Sequence, residues 1–129
     1  MTPALTATYA AILALFYVAL SFHVIITRAK TDVLVGDGGN PRMLVAIRRH
    51  GNMSEYVPFA LLMMGLAEIL GLGAGWLHVC GIALIAGRLI HPFGITEENS
   101  PLAPRVVGVL ATMAAILIPA GSILLIQLT

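Results

Sequence analysis

Charged residues are scarce in this chain of 129 residues. Asp, Glu, Lys and Arg together make up 10% of it, whereas a soluble domain carries roughly 25%. Hydrophobic residues reach 59%, and the mean hydropathy is +0.97. This composition excludes an ordinary soluble domain and predicts a protein of the bilayer. The net charge of +1 and the lack of a basic patch argue against nucleic acid as a partner.

Cysteine is rarer still. Cys80 is the only one, so an internal disulfide is excluded and the redox compartment stays undetermined. We interpret it as a small buried apolar residue of the third span. No group of His and Cys residues has the spacing of a metal site, so we predict no metal.

Long apolar runs, by contrast, dominate the chain. A span needs about 20 apolar residues, and residues 4–26 and 106–128 supply two such runs without a single charge. Two weaker spans, 56–67 and 70–87, have charges at their ends and suggest inner helices. We predict an all-α integral membrane protein, with residues 1–129 forming a single four-helix bundle domain.

Turn and helix-start residues refine these helices. Pro41 favours a helix start, whereas Pro92 and Gly94 favour a helix end. We expect helices over about 2–28, from 41 past Glu68 to the glycines at 71 and 73, over 76–91, and from about 104 onward.

All seven basic residues lie in or beside the connections 29–50 and 92–104. By the positive-inside rule these connections are cytoplasmic, and both termini lie on the opposite side. We predict an integral membrane protein with these connections on the cytoplasmic side, and we expect its location to be a bacterial inner membrane.

Polar side chains stand just before the second apolar run. On a helix at about 100° per residue, Arg48, Asn52 and Glu55 share one stripe. Ionisable groups inside a span cost about 3 kcal/mol each and persist mostly where they face a bundle interior or a water-filled cavity. The stripe therefore predicts a polar site. The alternative is an ion pair of Arg48 with Glu55 that fixes helix packing, with Asn52 bonding between helices.

Two motifs carry a resemblance to a known family. They are Arg48-x-x-x-Asn52-x-x-Glu55-Tyr56-x-Pro58 before an apolar run, and Gly87-Arg88-x-x-His91-x-x-Gly94 at the end of the next helix. Together with the length and the four spans, they resemble the MAPEG superfamily, the membrane-associated proteins in eicosanoid and glutathione metabolism, and in particular its microsomal glutathione transferases. The resemblance implies a homotrimer that binds glutathione as co-substrate in polar clefts between neighbouring subunits.

The resemblance also assigns roles to individual residues. Arg105 aligns with the thiol-activating Arg of the fourth helix. The residues that it assigns to glutathione binding are Arg28, Arg48, Asn52, Glu55, Tyr56, Arg88 and His91. The chain departs from the eicosanoid enzymes at His91, where they place a Tyr, near Ile95, where they place an aromatic residue, and at Gly51, where some have a second Arg.

The chemistry of glutathione suits these residue types. Its two carboxylates can bind guanidinium groups, such as those of Arg28, Arg48 and Arg88. Its ammonium group can bind a carboxylate, such as that of Glu55. A neighbouring Arg lowers the pKa of a thiol and so favours the reactive thiolate, which is the role we assign to Arg105. The alternatives are that Arg88 and Arg105 anchor the chain at lipid headgroups and that His91 caps a helix end.

We therefore predict a glutathione-dependent membrane transferase or peroxidase acting on lipophilic electrophiles that arrive through the lipid bilayer. The alternative is a non-catalytic MAPEG-fold protein that binds a lipid or a glutathione-like ligand. A small drug/proton antiporter also has four short spans, but such carriers use an acid in the first helix, and residues 4–26 contain none. Small residues of the third span, which allow close helix approach and favour the homotrimer, are Gly81, Ala83, Ala86 and Gly87.

Overall fold

The computed structural model of the chain describes residues 2–128, so Met1 and Thr129 of the predicted domain lie outside the described residues. Its four α-helices are α1 (Ala4–Thr31), α2 (Pro41–Ile69), α3 (Ala74–Ile90) and α4 (Leu102–Leu128), with a 3₁₀ turn at His91–Gly94. No strand occurs within residues 2–128, which confirms the all-α prediction. α1 packs on α2 and α3 on α4, and contacts of α2 with α4 join the two pairs.

Helix α2 begins and ends as its local sequence dictates. The side-chain oxygen of Asn40 accepts a hydrogen bond from the backbone N–H of Met43 at 3.2 Å, and Pro41 occupies the first turn. Gly71, with a φ of 99°, follows the last turn in a conformation that suits glycine. The start and the end that the sequence predicted for this helix are confirmed.

The other boundaries lie within a few residues of those expected. α3 begins at Ala74, two residues before the predicted start at Trp76, and the turn after α2 takes up residues 70–73 of the apolar span. α1 continues to Thr31 and ends where Asp32 adopts a left-handed φ of 53°. Arg28 consequently lies inside α1 and not at its end.

Three helical segments are long and apolar enough to cross a membrane: α1, Ala74–Gly94 and α4. In the most apolar stretch of α1 and of α4, 17% of the residues are buried, against 44% for Ala74–Gly94. These fractions place α1 and α4 at the outside of the bundle and confirm the inner position suggested for the span 70–87. α2 has 29 residues and is therefore about 43 Å long, but it is not among these segments, although the sequence suggested a weaker span at residues 56–67.

The core lies where the four helices meet. Its buried side chains come from every helix and include Leu13, Met53, Val57, Met64, Leu84 and Ala115. Cys80 is fully buried among them as a free thiol, as the sequence predicted.

Two of the small residues of α3 serve packing within the subunit. A Cβ on Gly81 would come within 2.4 Å of the Tyr9 ring, and a Cβ on Gly87 would lie 2.9 Å from the Gly108 carbonyl oxygen. These glycines let α1 and α4 approach α3 closely. They are therefore not free to form a contact between subunits, and assembly as a homotrimer stays a prediction.

Glu68 links the end of α2 to the start of α1. Its two carboxylate oxygens accept hydrogen bonds from the backbone N–H groups of Leu5 at 2.9 Å and Thr6 at 2.8 Å. α1 has no side-chain cap of its own, because Pro3 stands at the N-cap position. Glu68 thus has a structural role away from the polar stripe of α2.

Glu68→Gln should destabilise the subunit. An amide has only one acceptor oxygen, so one backbone N–H loses a charge-assisted bond, which costs about 1–3 kcal/mol. Thermal unfolding in detergent should show a lower melting temperature than in the control Glu97→Gln, whose side chain is exposed. Equal melting temperatures for the two variants would show that Glu68 does not stabilise the start of α1.

Candidate functional site

Helix α2 presents three polar side chains to one cavity. Arg48, Asn52 and Tyr56 follow each other at intervals of four residues, so they lie along one row of the helix surface, and all three line the cavity. Glu55 does not line it. Glu55 lies on the neighbouring row, with its Oε1 3.8 Å from the position that a Cβ on Gly51 would take.

The end of α3 and the start of α4 supply the opposite side. His91, in the first position of the 3₁₀ turn, and Arg105, in the first turns of α4, both line the cavity. Two glycines make this possible. A Cβ on Gly94 would lie 2.3 Å from Arg105 Cγ, and a Cβ on Gly108 would lie 2.7 Å from His91 Cβ.

The cavity has a volume of about 470 Å³, within the range of roughly 300–1,000 Å³ typical of small-molecule sites. Its remaining walls are mostly apolar. They are formed by Gly94, Ile95, Ser100, Leu102, Val106, Val109 and Leu110. A polar wall thus faces an apolar one, which suits a ligand with a charged part and a lipophilic part.

Positive charge in the cavity is unbalanced. The lining residues, all drawn from 2–128, include Arg48 and Arg105 but no Asp or Glu. Neither Arg makes an ion pair or a hydrogen bond with another described residue. The ion pair of Arg48 with Glu55, the alternative left open by the sequence, is therefore not formed within the described part of the subunit. Unpaired guanidinium groups of this kind favour the approach of an anion.

Arg88 lies behind the cavity wall and does not line it. Its exposed fraction is 3%, its Nη1 donates to Asn52 Oδ1, and its Nη2 donates to the carbonyl oxygen of Gly108 at 2.8 Å. The guanidinium therefore bridges α2 and α4. Since Asn52 Oδ1 is taken by this bond, the Asn52 amide N–H₂ remains for other partners.

Arg28 lies apart from the cavity. Its Nη1 donates to the carbonyl oxygens of Val33 at 3.1 Å, Leu34 at 3.3 Å and Gly36 at 3.0 Å, so it orders the loop after α1. Arg48, Asn52, Tyr56, His91 and Arg105 are thus brought together in one subunit, while Arg28, Glu55 and Arg88 are not part of that lining.

Other contributions to the site carry no recognisable signal in the sequence. Arg49 Nε donates to the carbonyl oxygens of Pro92 at 3.1 Å and Ile95 at 3.0 Å and so fastens the 3₁₀ turn to α2. The sequence suggested only a topology signal for Arg49. Val106 and Leu110 line the cavity although their apolar run indicated only a membrane span.

In residues 2–128 no group of three or more His, Cys, Asp and Glu is arranged to hold a metal ion.

Gly94→Ala should separate the 3₁₀ turn from α4. The new Cβ would meet Arg105 Cγ at 2.3 Å and the Arg105 backbone nitrogen at 2.7 Å, and the backbone atom cannot simply swing away. Overpacking of this kind costs about 1–3 kcal/mol. The control Gly65→Ala meets Thr6 Cγ2 at an ordinary 3.7 Å. We expect a lower melting temperature in detergent for Gly94→Ala, and equal stability of the two variants would contradict the close contact.

Comparisons with known proteins agree with this architecture. The model of the MAPEG family matches residues 6–125. The inner membrane protein YecN of Escherichia coli is 43% identical over 89 residues, which cover 69% of this chain and 68% of the relative. The protein of the same name from a second Escherichia coli strain matches to the same extent. No solved structure gives a significant match.

The family match covers nearly the whole chain. It agrees with the four α-helices and with the three helical segments that are long and apolar enough to cross a membrane. With the named inner membrane relative, it identifies the protein as an integral inner membrane protein. The chain belongs to the MAPEG family.

Proposed function

We propose that this protein is a glutathione-dependent membrane enzyme, a transferase or peroxidase that acts on lipophilic electrophiles. The observation that carries the proposal is the cavity in which two unpaired guanidinium groups, an amide, a phenol and an imidazole face an apolar wall. Membership of the MAPEG family supports it. Glutathione is the co-substrate in this proposal.

The polar wall suits the tripeptide. Arg48 can hold a carboxylate of glutathione through paired, charge-assisted hydrogen bonds, and the free amide N–H₂ of Asn52 can donate to a second acceptor. Arg105, on the α4 side, can face the sulfur and favour the thiolate, the reactive form of a thiol. Arg48 and Arg105 therefore take different roles, one in binding and one in chemistry.

The apolar wall suits the second substrate. Val106 is 42% exposed and Leu110 is 62% exposed, and both belong to a helix that is apolar enough to lie in the bilayer. A lipophilic electrophile can therefore reach the cavity from the hydrocarbon region without passing through water. The shape of this wall then limits which electrophiles fit.

We also propose the homotrimer. Glu55 is exposed on α2 and unpaired among the described residues of its own subunit. Exposed charge on a helix of a membrane protein calls for a partner from another subunit or a ligand. In a trimer, Glu55 and the Nε and Nη2 groups of Arg28, which do not bond to the loop, would be available to a neighbouring cavity, as the family resemblance implies. Mass measurement in mild detergent that shows only monomers or dimers would reject the trimer.

The proposal is tested by binding and turnover together. The purified protein in lipid nanodiscs should bind glutathione saturably and should conjugate or reduce members of a panel of lipophilic electrophiles and hydroperoxides. The matched control is Arg42→Ala, an exposed arginine outside the cavity lining, which should bind and react like the wild type. Absence of glutathione binding would overturn the proposal.

The alternative is a non-catalytic MAPEG-fold protein that binds a lipid or a glutathione-like ligand. Ile95 favours it, because this residue lines the cavity close to the position where the eicosanoid enzymes have an aromatic residue. Saturable glutathione binding without turnover over the whole panel would decide for this alternative.

A further inference from the structure

A groove lies between α1 and α3 at the end of the bundle that carries the basic connections. α1 packs mainly on α2 and α3 mainly on α4, so the side between α1 and α3 is less closely packed than the side between α2 and α4. The groove has an outer part of about 500 Å³ and an inner part of about 280 Å³, and His23 and Arg49 line both. It shares no lining residue with the cavity proposed for glutathione, so it is a separate site.

The inner part of the groove is mostly apolar. Phe16 and Leu20 of α1 line it together with Leu89 and Phe93 from the end of the third membrane segment. Both segments are apolar enough to cross a membrane, and Leu89 and Phe93 are 49% and 72% exposed. This part of the groove therefore suits a hydrocarbon chain at the depth of the lipid tails.

The outer part of the groove carries charges of both signs. Arg42 and Arg49 of α2 line it together with Glu97 and Glu98 of the loop before α4. The side chains of Arg42, Glu97 and Glu98 make no ion pair or hydrogen bond with any residue from 2 to 128. The opposite charges thus share one pocket without neutralising each other. Such an arrangement is complementary to a ligand that carries one charge of each sign.

Arg49 is held where the two parts meet. Its Nε donates to the carbonyl oxygens of Pro92 and Ile95, which fixes the guanidinium, while its Nη1 and Nη2 bond to no residue that the structure describes. His23 lies seven residues after Phe16 on α1, about 10 Å further along the helix, and lines the same junction. A fixed cation at the border between an apolar and a charged part matches the place of a lipid phosphate.

We propose that this groove binds phosphatidylethanolamine, a zwitterionic phospholipid with a primary ammonium, from the cytoplasmic leaflet. The positive-inside rule places this end of the bundle in the cytoplasm. The phosphate binds the guanidinium groups of Arg42 and Arg49, and the ammonium donates to the carboxylates of Glu97 and Glu98. One acyl chain fills the inner part. The inference is independent of the proposed enzymatic function.

The lining residues favour this headgroup over two other common ones. Phosphatidylglycerol is anionic and suits a basic pocket, whereas here two carboxylates balance the two guanidinium groups. Phosphatidylcholine has a quaternary ammonium, which has no N–H to donate and is typically bound by aromatic side chains. The residues found to line the outer part include no Phe, Tyr or Trp. A primary ammonium, by contrast, donates three hydrogen bonds, which carboxylates accept.

The first test is a competition among lipids for the wild-type protein. The protein is placed in nanodiscs of phosphatidylethanolamine, phosphatidylcholine and phosphatidylglycerol in equal parts, and the lipids that stay bound are counted by native mass spectrometry. We expect one retained phosphatidylethanolamine per subunit, at about five times the level of phosphatidylcholine, the upper range for one exposed ion pair. Equal retention of the three lipids, or preference for either of the other two, overturns the proposal.

Removing the carboxylates should abolish the preference for the ammonium. Glu97→Gln combined with Glu98→Gln should bring phosphatidylethanolamine and phosphatidylcholine to equal retention. The matched control is Asp32→Asn combined with Asp37→Asn, which removes two carboxylates from the loop after α1, outside the groove, and should keep the preference. An unchanged preference in the glutamate variant places the lipid elsewhere and overturns the site.

Removing a guanidinium should weaken the binding of the phosphate that both zwitterionic lipids share. Arg42→Ala should lower the retention of both about fivefold, the usual contribution of one basic residue near a membrane surface. Lys30→Ala removes an exposed basic residue outside the groove and should leave retention unchanged. Equal retention in the two variants would overturn the role of Arg42.

A photoactivatable phosphatidylethanolamine tests the inner part without any substitution. With a diazirine in the acyl chain close to the glycerol, cross-linked peptides of the wild-type protein should contain Leu20 or Phe93. Addition of unlabelled phosphatidylethanolamine should suppress these cross-links more than addition of phosphatidylcholine. Cross-links spread evenly over the outer faces of α1, α3 and α4 would show contact with bulk lipid only and overturn the proposal.

Discussion

Arg105→Ala should lower kcat at pH 7 by up to about 30-fold. A free thiol with a pKa of about 8.5 is only about 3% thiolate at pH 7, so losing the charge that stabilises the thiolate costs up to about 30-fold through the thiolate fraction alone. The rate of the variant should climb as the pH rises toward 9, while that of the wild type stays nearly flat. The measurement is the pH profile of kcat at saturating glutathione.

The affinity of Arg105→Ala for glutathione should stay close to that of the wild type, because Arg105 acts on the sulfur and not on a carboxylate. Arg105→Lys keeps a positive charge and should retain part of the activity. Arg42→Ala serves as the control for loss of an exposed arginine. Unchanged thiolate absorbance in an assembled Arg105→Ala protein would remove the catalytic role from this residue.

Arg48→Ala should weaken glutathione binding about 10- to 150-fold. A hydrogen bond to a charged group contributes about 1.5–3 kcal/mol, and this free energy converts to that range of Kd. Arg48 is exposed and bonds to no other described residue, so its removal leaves no buried partner unsatisfied. Binding, measured by titration calorimetry in nanodiscs, should therefore change more than stability.

Turnover of Arg48→Ala at saturating glutathione should fall much less than its affinity. Arg48→Ala would thus mainly raise the Kd for glutathione, whereas Arg105→Ala would mainly lower kcat. If the affinity of Arg48→Ala for glutathione equals that of the wild type, Arg48 does not bind glutathione and acts only as a basic residue that sets the orientation in the membrane.

The fold was largely predictable because its signals are local. Long uncharged runs gave α1 and α4, and the pair Asn40 and Pro41 placed the start of α2. The residues of α2 that line the cavity also follow from spacing, since side chains four residues apart share one helix surface. Tyr56, assigned by family resemblance, takes the place on the cavity row where the helical stripe suggested Glu55.

The rest of the site depends on tertiary contacts that spacing does not encode. Nothing local shows that Arg88 is enclosed between Asn52 and Gly108, or that the loop after α1 turns its carbonyl groups toward Arg28. An apolar side chain such as Val106 has the same sequence pattern whether it faces lipid or a cavity. Motif and composition therefore identified the polar wall, and only the fold revealed the apolar one.

The central claim is that the cavity between α2, the end of α3 and the start of α4 binds glutathione. A structure of the protein in nanodiscs with glutathione added tests it most directly. The account predicts ligand density in this cavity, with a carboxylate on Arg48 and the sulfur beside Arg105 and His91. Density that lies elsewhere on the subunit, or a sulfur turned away from Arg105, would contradict it.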